Sequence, residues 1–356
     1  MNPRLKNWRA ERLILHIGAP RTGTSTLQNT LRQNRANLLK QRVLYPESLE
    51  RVFVAAMAPA WPSDAQQRRI GVTGLRAVQR LRRSLTATLQ REVNEHQPET
   101  IVISAEQLFD RLDKGTVRRR LKHWLSRFAE RIELLVYLRR QDQAVFSRYL
   151  NTVRLGRDEA WIVPDRSVKL YDYQRRLKPW ANLFGRDALT VRAYQRQDFP
   201  NGSGVLDFMA RTGIDPAPLA PPNREHNASL DAIKAEFMTR ITDHIRPAEN
   251  PDGFRQDLNW VIDRVQGDWS RSTLPQRDAQ AILDLYHEPN ARLSRDWSQG
   301  QDFFDMTIAP EPPSSASLET DDIIEIAAQL WAIKADQVRH LRRKVQSAQA
   351  DTSKDT

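Results

Sequence analysis

The chain has 356 residues, 40% of them hydrophobic, a formal net charge of +11 and no cysteine. The lack of cysteine excludes disulfides, thiolate metal sites and cysteine nucleophiles, and the histidines show no metal-ligand spacing, so we expect no metal site. No apolar run is long enough for a transmembrane helix, and the charged N-terminus lacks the apolar core of a signal peptide. These features predict a globular, cytoplasmic protein whose positive charge favours anionic partners.

Hydrophobic periodicity predicts alternating strands and helices over the first two hundred residues, which is typical of a parallel sheet in an α/β fold. Apart from Glu133, the run at 132–138 is apolar, as expected for a strand covered on both faces. Extended segments are predicted at 13–17, 42–45, 99–104, 132–138 and 188–194, and helices at 24–40, 69–96, 115–129, 141–155 and 170–184.

Only helices are predicted beyond about residue 203, so the domain prediction is an α/β core over 1–200 and a helical region over 201–308. A linker over 309–319 then precedes a C-terminal amphipathic helix and tail over 320–356. The last helix is expected either to dock on the body or to pair with another chain as a homo-oligomer. The helical region contains helices at 203–212, 228–245, 253–267 and 275–297, and the broad apolar face of the last helix contains Ile323, Ile326, Leu330, Ile333, Val338, Leu341 and Val345.

Arginines supply most of the positive charge and are spread along predicted helices, for example at Arg80, Arg82 and Arg83. No helix-turn-helix, RNA-binding sheet motif or aromatic-plus-basic repeat accompanies them. We therefore expect no dedicated nucleic-acid binding, and these arginines are typical of solvated helix faces.

The stretch 13–28, LILHIGAPRTGTSTLQ, predicts a strand, a tight loop and a helix N-terminus. Backbone N–H groups and the helix dipole converge on one anion in such a segment. It nearly matches the triphosphatase pattern G-x-x-x-x-G-K-[ST], with Gly18, Gly23 and Ser25 in place, but Thr24 occupies the lysine position. Arg21, inside the loop, is the nearest cation, and we expect it to face an anion to which Thr24 and Ser25 donate their hydroxyls.

The missing lysine argues against ATP or GTP hydrolysis, because that lysine reaches the terminal phosphates of a triphosphate. No convincing Mg²⁺-binding acidic residue follows a strand either, since the strand at 99–104 is followed by Ala105 and Glu106. A kinase or triphosphatase of the P-loop type stays an alternative.

A second set of residues follows the strand at 132–138, which ends in Arg139 and Arg140, with Ser147 eight residues after Arg139. Ligands bind at the carboxyl ends of parallel strands, so a guanidinium and a hydroxyl here suit a second phosphate. The alternative is an arginine pair that caps a helix or forms surface ion pairs.

Together, these segments resemble the sulfotransferases that use 3′-phosphoadenosine 5′-phosphosulfate (PAPS) and release 3′-phosphoadenosine 5′-phosphate (PAP). The family loop P-K-[TS]-G-[TS]-[TS] is similar to PRTGTS at 20–25, and a strand-end arginine with a serine eight residues later is similar to Arg139 and Ser147. The resemblance implies a P-loop-like parallel sheet with helices on its sides. It further implies a 5′-phosphosulfate site at Pro20, Arg21, Thr22, Gly23, Thr24 and Ser25, a 3′-phosphate site at Arg139 and Ser147, and Lys169 in a loop that closes over the nucleotide.

The remaining segments are similar to those of bacterial, carbohydrate-type sulfotransferases, and the resemblance spans about residues 12–305. It implies an acceptor hydroxyl on a glycan and an acceptor cleft completed by the helical region. The segments that carry it, in order, are VLYPES, IVISAEQL, VYLRRQD, YDYQRRLKPWANLFG and NASLDAIK.

One residue departs from the family pattern: Arg21 stands where the family has a lysine that contacts the transferring group. Arginine keeps the positive charge but cannot give up a proton. The departure favours retention of the binding site over full activity, so a non-catalytic PAP-binding or assembly protein is a further alternative.

Sulfuryl transfer to a hydroxyl needs a base, and three residues are candidates. Glu106 comes first because it follows a strand at the same sheet edge as the loop. Glu47, in the YPES segment, comes second, and His16 third because a histidine within the first strand is expected to pack in the core. Arg192 and Arg196, at and beyond the end of the last strand, face either the cleft or the surface.

Overall fold

The computed structural model describes residues 7–47, 72, 74–112, 114–155, 171–221, 232–244, 251–267, 274–308 and 318–352. They belong to two compact units. The first draws on segments 1–144, 164–227 and 281–307, and the second on 145–163, 228–280 and 308–356. Lys169 and most of the expected linker lie outside the described residues, and the domain boundaries expected from the sequence stay a prediction.

A five-stranded sheet forms the centre of the first unit, and all of its strand pairs are parallel. The strand order is β2-β3-β1-β4-β5, so the first strand is central. Leu13, Ile14 and Leu15 of that strand are almost fully buried because both of its faces are covered. The strands are β1 (Ala10–His16), β2 (Val43–Leu44), β3 (Thr100–Ser104), β4 (Ala129–Leu138) and β5 (Leu189–Ala193).

Helices connect and flank the strands, and after β5 the described elements are helical. The predicted α/β fold, with a P-loop-type parallel sheet and a helical C-terminal part, is confirmed. No described helix combines the length and apolar character needed to cross a membrane. The helices are α1 (Thr24–Gln33), α2 (Arg35–Lys40), α3 (Gly74–His96), α4 (Gln107–Arg111), α5 (Gly115–Leu125), α6 (Gln141–Arg154), α7 (Tyr173–Phe184), α8 (Gly204–Thr212), α9 (Ala232–His244), α10 (Pro251–Ile262), α11 (Gln276–Leu285), α12 (His287–Trp297) and α13 (Thr320–Thr352).

Two helices expected to be continuous are each interrupted. The helix expected at 24–40 breaks at Asn34, whose side chain donates to the Thr30 carbonyl at 2.9 Å and accepts from the Ala220 N–H at 2.7 Å. The helix expected at 275–297 breaks at Tyr286, three residues before Pro289. Proline has no N–H to donate to the carbonyl four residues earlier, so the helical hydrogen bonding is interrupted there.

The second unit is a helical cluster built from α9, α10, α13 and the part of α6 that begins at Val145. Its core includes the fully buried Ile233, Met238, Ile262 and Ile326. An ion pair between Arg154 and Asp263 joins α6 to the residue that follows α10.

Candidate anion-binding site

The loop between β1 and α1 lies at the carboxyl end of the central strand, where ligands bind in open parallel sheets. Gly23 immediately precedes α1 and has a φ of 73°, in the left-handed region. A Cβ at this position would lie 2.6 Å from the Tyr194 hydroxyl, so only glycine fits under that ring without displacement. Arg21 also has a left-handed φ of 68°, which costs a non-glycine residue about 1–2 kcal/mol.

The three hydroxyl residues of the loop have different environments. Thr22 Oγ1 donates to the Ala19 carbonyl at 2.7 Å and so stabilises the loop itself. Thr24 Oγ1 is buried and has no hydrogen-bond partner, whereas Ser25 is exposed. No side chain caps the N-terminus of α1. Because buried polar groups are normally satisfied, the free Thr24 hydroxyl and the first helical N–H groups are suited to an anionic ligand.

His16 ends β1 beneath the same loop. Its Nδ1 lies 2.8 Å from Ser104 Oγ on the neighbouring strand, and its buried Nε2 has no partner. A Cβ at Gly18 would lie 3.2 Å from that Nε2 and 2.6 Å from Thr24 Oγ1, so the two unpartnered atoms flank one point of the loop. Burial lowers the pKa of His16 to about 4, which keeps the ring neutral near pH 7.

Arg139 follows β4 and lies beside the loop. Its Nη1 donates to the Arg21 carbonyl at 3.4 Å, and its Nε donates to Gln143 Oε1, also at 3.4 Å. Burial lowers the pKa of Arg139, and the positive charges of Arg21 and Arg196 lower it further. Within the described part of the chain, long hydrogen bonds alone hold this guanidinium among other cations, and such a group is suited to binding an anion.

Arg140 is adjacent in sequence but has a different role. Its Nε and Nη2 form a two-pronged ion pair with the buried Asp142 at 2.8 and 2.9 Å. Its Nη1 donates to the carbonyls of Asp305 and Thr307 at 2.6 and 2.7 Å. All of the guanidinium nitrogens of Arg140 therefore bond to the protein, and they join the end of β4 to the segment that follows α12.

A cavity of about 270 Å³ lies next to Arg139. Arg139, Arg140 and Arg196 supply positive charge to its lining, and Asp305 is the carboxylate among the lining residues. Hydrogen bonds from Thr307 lower the pKa of Asp305, so this carboxylate stays ionised. Tyr194 also lines the cavity while its hydroxyl covers Gly23, so one side chain lies next to both the loop and the cavity.

Sequence reasoning missed Tyr194. Its position as the last residue of the strand expected at 188–194 was the available signal, because the carboxyl ends of parallel strands meet at one sheet edge. The same reasoning left Arg196 and Arg192 undecided. Arg196 lines the cavity, whereas Arg192 donates to the buried Asp207 at 3.0 Å.

The two candidate carboxylate bases lie in different surroundings. Glu106 is half-buried in the turn after β3, and this turn is held against β1 by the Ala105 N–H, which donates to the His16 carbonyl at 3.0 Å. Glu47 is exposed and lies 3.4 Å from Arg35, which also pairs with the buried Glu92 at 2.8 Å. The structure therefore brings the Glu106 backbone to the sheet edge that holds the loop, and it pairs Glu47 with an arginine of α2.

Ser147 and Lys169 are two further residues implied by the resemblance to sulfotransferases. Ser147 is buried on α6, in the part of that helix that belongs to the second unit. Lys169 is outside the described residues. Both stay predictions.

The fold defines an α/β protein of the P-loop type, and the loop is its candidate anion-binding site. No family model matches the chain. Over 167 residues the chain is 27% identical to an uncharacterized protein of Archaeoglobus fulgidus, and the match spans 46% of this chain and 45% of that protein. The chain therefore matches less than half the length of this relative.

Three solved structures similar to the chain are sulfotransferases. One, from Alicyclobacillus acidocaldarius, is 14% identical with a TM-score of 0.38, covering 67% of this chain and 98% of that one. A sulfotransferase domain from the curacin biosynthetic pathway is 10% identical with a TM-score of 0.39, covering 79% and 99%. A sulfotransferase domain from the Synechococcus PCC 7002 olefin synthase is 14% identical with a TM-score of 0.35, covering 81% and 98%. Because these identities and TM-scores are low, the similarity carries no functional argument, and the function is argued from the geometry of the site.

Proposed function

We propose that the chain is a sulfotransferase that takes the sulfuryl group of PAPS and transfers it to a hydroxyl of an acceptor, with a carbohydrate as the acceptor class. The observation that carries the proposal is the free, buried Thr24 hydroxyl in a loop whose neighbour Arg139 is held only by long hydrogen bonds. Together they are suited to two anionic groups, as a nucleotide with phosphates at both its 5′ and 3′ positions requires.

The loop suits the 5′-phosphosulfate. Gly18 leaves room for the Thr24 hydroxyl, Gly23 leaves room for the Tyr194 ring, and Thr24 has a hydroxyl to donate. The N-terminus of α1 adds N–H groups and a positive dipole end. Thr22 holds the loop in shape, and Pro20 and Ser25 complete the motif.

The cavity beside Arg139 suits the 3′-phosphate. Arg139 and Arg196 supply charge there, while the hydrogen bonds of Arg140 to Asp142 hold the strand end in place. Ser147 and Lys169 are proposed as further contacts from the family resemblance alone. A phosphate is the fitting ligand because guanidinium groups bind its oxygens through charge-assisted hydrogen bonds.

The transfer needs an acceptor hydroxyl oriented towards the sulfuryl group, a base for its proton and stabilisation of the leaving phosphate. PAPS, when bound, supplies a sulfuryl group activated by its bond to phosphate. A bond forms between the acceptor oxygen and sulfur, the bond from sulfur to the phosphate oxygen breaks, and the acceptor proton passes to the Glu106 carboxylate. Arg21, Thr24 and the loop N–H groups stabilise the negative charge that develops on the departing phosphate. Glu47 is the second candidate base.

A non-catalytic PAP-binding or assembly protein is the second candidate function, because Arg21 replaces the family lysine and has a strained backbone. Binding and transfer separate the possibilities. We expect calorimetry to show binding of PAP and none of ATP with Mg²⁺, and a labelled-sulfate assay over a panel of glycans and small hydroxyl compounds to show transfer.

Each alternative has its own result in these measurements. Tight ATP binding without PAP binding would overturn the proposal in favour of a kinase or triphosphatase. PAP binding without transfer to any acceptor would favour the non-catalytic role. In that case Arg21→Lys, which restores the family residue, tests whether the arginine is the cause.

A further inference from the structure

The long helix α13 has two apolar faces. One packs into the core of the second unit through Ile326, which is fully buried, and through its neighbours Ile323, Leu330 and Ile333. A second face is exposed and contains Ile324, Trp331 and Val338, with 61%, 79% and 46% of their surface accessible, and Leu341 adjoins it at 54%. An exposed row of large apolar residues that includes a tryptophan marks an interaction surface.

The exposed row of Ile324, Trp331 and Val338, called the seam below, has the spacing of residues that pair two helices. Ile324, Trp331 and Val338 are separated by seven residues each, which is the heptad repeat of coiled coils. Ala328 and Ala335, each four residues beyond a large residue, lie on the same side of the helix. Small residues between large ones let a second helix approach closely, so the natural occupant is another amphipathic helix.

Charge along α13 indicates which helix that is. Asp321 and Glu325 lie at the N-terminal end of the seam, and Arg342 and Arg343 lie at its C-terminal end. Arg339 lies there too, but it pairs with Asp336 of its own helix. An antiparallel copy of the same helix would place each acidic end against a basic end, whereas a parallel copy would place like charges together. The seam is also symmetric, because Ile324 and Val338 lie seven residues on either side of Trp331.

We infer that two copies of this chain associate through antiparallel pairing of their α13 helices, with the two-fold axis near Trp331. Ile324 of each copy then packs close to Val338 of the other, and the alanines accommodate the large side chains. The association is independent of the sulfotransferase proposal, since it uses none of the residues of the anion-binding site.

Light scattering of the purified full chain measures the association directly. We expect a mass of about twice the 41.2 kDa of one chain at micromolar concentration. Trp331→Asp should give the mass of one chain with an unchanged far-ultraviolet circular dichroism spectrum. Ala332→Asp is the matched control, because it adds the same charge to an exposed position beside the seam, and it should stay dimeric. A monomeric wild type, or a dimeric Trp331→Asp variant, would overturn the inference.

Cross-linking through introduced cysteines tests the orientation of the two helices. Because the chain contains no cysteine of its own, the cross-linker reacts only at the introduced positions. Ile324→Cys and Val338→Cys variants, carrying different tags and co-expressed, should be joined to each other by a short bismaleimide. Ile324→Cys alone should cross-link little, because the two copies of residue 324 lie about 21 Å apart at 1.5 Å per residue. Efficient cross-linking of Ile324→Cys to itself would indicate a parallel pair and contradict the inference.

A charge exchange provides an independent check. The variants Asp321→Arg/Glu325→Arg and Arg342→Glu/Arg343→Glu should each be mainly monomeric, since each places like charges across the seam. Mixing the two should restore a dimer that contains one copy of each, because opposite charges then face each other in both halves of the seam. Failure of the mixture to associate more strongly than either variant alone would contradict the pairing of oppositely charged helix ends, whereas the cross-linking experiment decides the orientation.

Discussion

His16 Nδ1 lies 2.8 Å from Ser104 Oγ, where β1 and β3 end side by side in register. Gln28 of α1 donates to the Ser104 carbonyl at 3.1 Å, so the same serine also holds the first helix. Tyr137 and Phe208 pack edge-on against the imidazole ring, each at 5.8 Å between centroids. The ends of β1 and β3 and the helix α1 are therefore joined through Ser104, which lies against the buried, neutral imidazole of His16.

His16 should make the stability of the protein pH-dependent. Burial lowers its pKa from 6.5 in the unfolded chain to about 4 in the folded one, so the unfolded chain binds a proton first as pH falls. Stability is fully present above about pH 6.5 and declines as pH falls towards about 4, by up to about 3 kcal/mol. Urea unfolding at several pH values in this window measures the decline.

The variant His16→Gln separates this contribution from that of the carboxylates. It removes the titrating ring, so its stability should fall less between pH 6.5 and 4 than that of the wild type. An equal pH dependence in the two proteins would show that His16 does not titrate in this window.

Thr24 and Thr22 provide a matched pair for testing the loop. Thr24→Val removes a hydroxyl that has no protein partner, so stability should stay the same or rise slightly while PAP affinity falls. Thr22→Val removes the bond to the Ala19 carbonyl, so stability should fall by about 1 kcal/mol. Thermal unfolding and PAP calorimetry on both variants measure the two effects. Unchanged PAP affinity in Thr24→Val would place the ligand away from this hydroxyl.

The elements of the sheet could be predicted because their signals are local. β1, β3 and β4 each contain a continuous apolar run, since buried parallel strands are covered on both faces. The loop at 18–25 combines glycines, hydroxyls and a cation at a strand-to-helix junction, which is a pattern readable within one stretch of sequence. The fold class and the position of the candidate anion site follow from such patterns.

The remaining features depend on partners that are distant in sequence. The bonds of Arg140 to the carbonyls of Asp305 and Thr307 cross 165 and 167 residues, so nothing near Arg140 distinguishes its role from that of Arg139. The contact of Tyr194 with Gly23 is equally non-local. The break at Asn34 depends in part on a bond to Ala220, 186 residues away. Tertiary contacts of this kind override local propensity.

The contrast between Arg139 and Arg140 leads to opposite expectations for two neighbouring variants. Arg139→Ala should weaken PAP binding by roughly 10- to 100-fold, because a hydrogen bond to a charged group is worth about 1.5–3 kcal/mol. It should leave unfolding nearly unchanged, since its bonds within the protein are long. Arg140→Ala should instead lower stability by about 3–5 kcal/mol, because it leaves the buried Asp142 without its partner.

Two measurements on both variants test this pair of expectations. Calorimetry gives the PAP affinity, and urea unfolding gives the stability. Arg139→Lys is a useful control because it keeps the charge but loses the planar fork, so its PAP affinity should lie between those of the wild type and Arg139→Ala. If Arg140→Ala were as stable as the wild type and had lost PAP binding, the 3′-phosphate site would have to be moved to Arg140.

The choice between the two candidate bases rests on where each carboxylate lies. Glu106 follows β3 at the sheet edge that holds the loop, whereas Glu47 pairs with Arg35 in a group that includes Glu92. Glu106→Gln should therefore lower the rate of sulfuryl transfer by about 100-fold or more while leaving PAP affinity intact, because the amide cannot accept the acceptor's proton. Glu47→Gln should leave the rate within a few-fold of the wild type.

Steady-state kinetics with PAPS and an accepted hydroxyl substrate measure the rate of transfer, and calorimetry measures the PAP affinity. A normal rate in Glu106→Gln, combined with a large loss in Glu47→Gln, would transfer the role of base to Glu47.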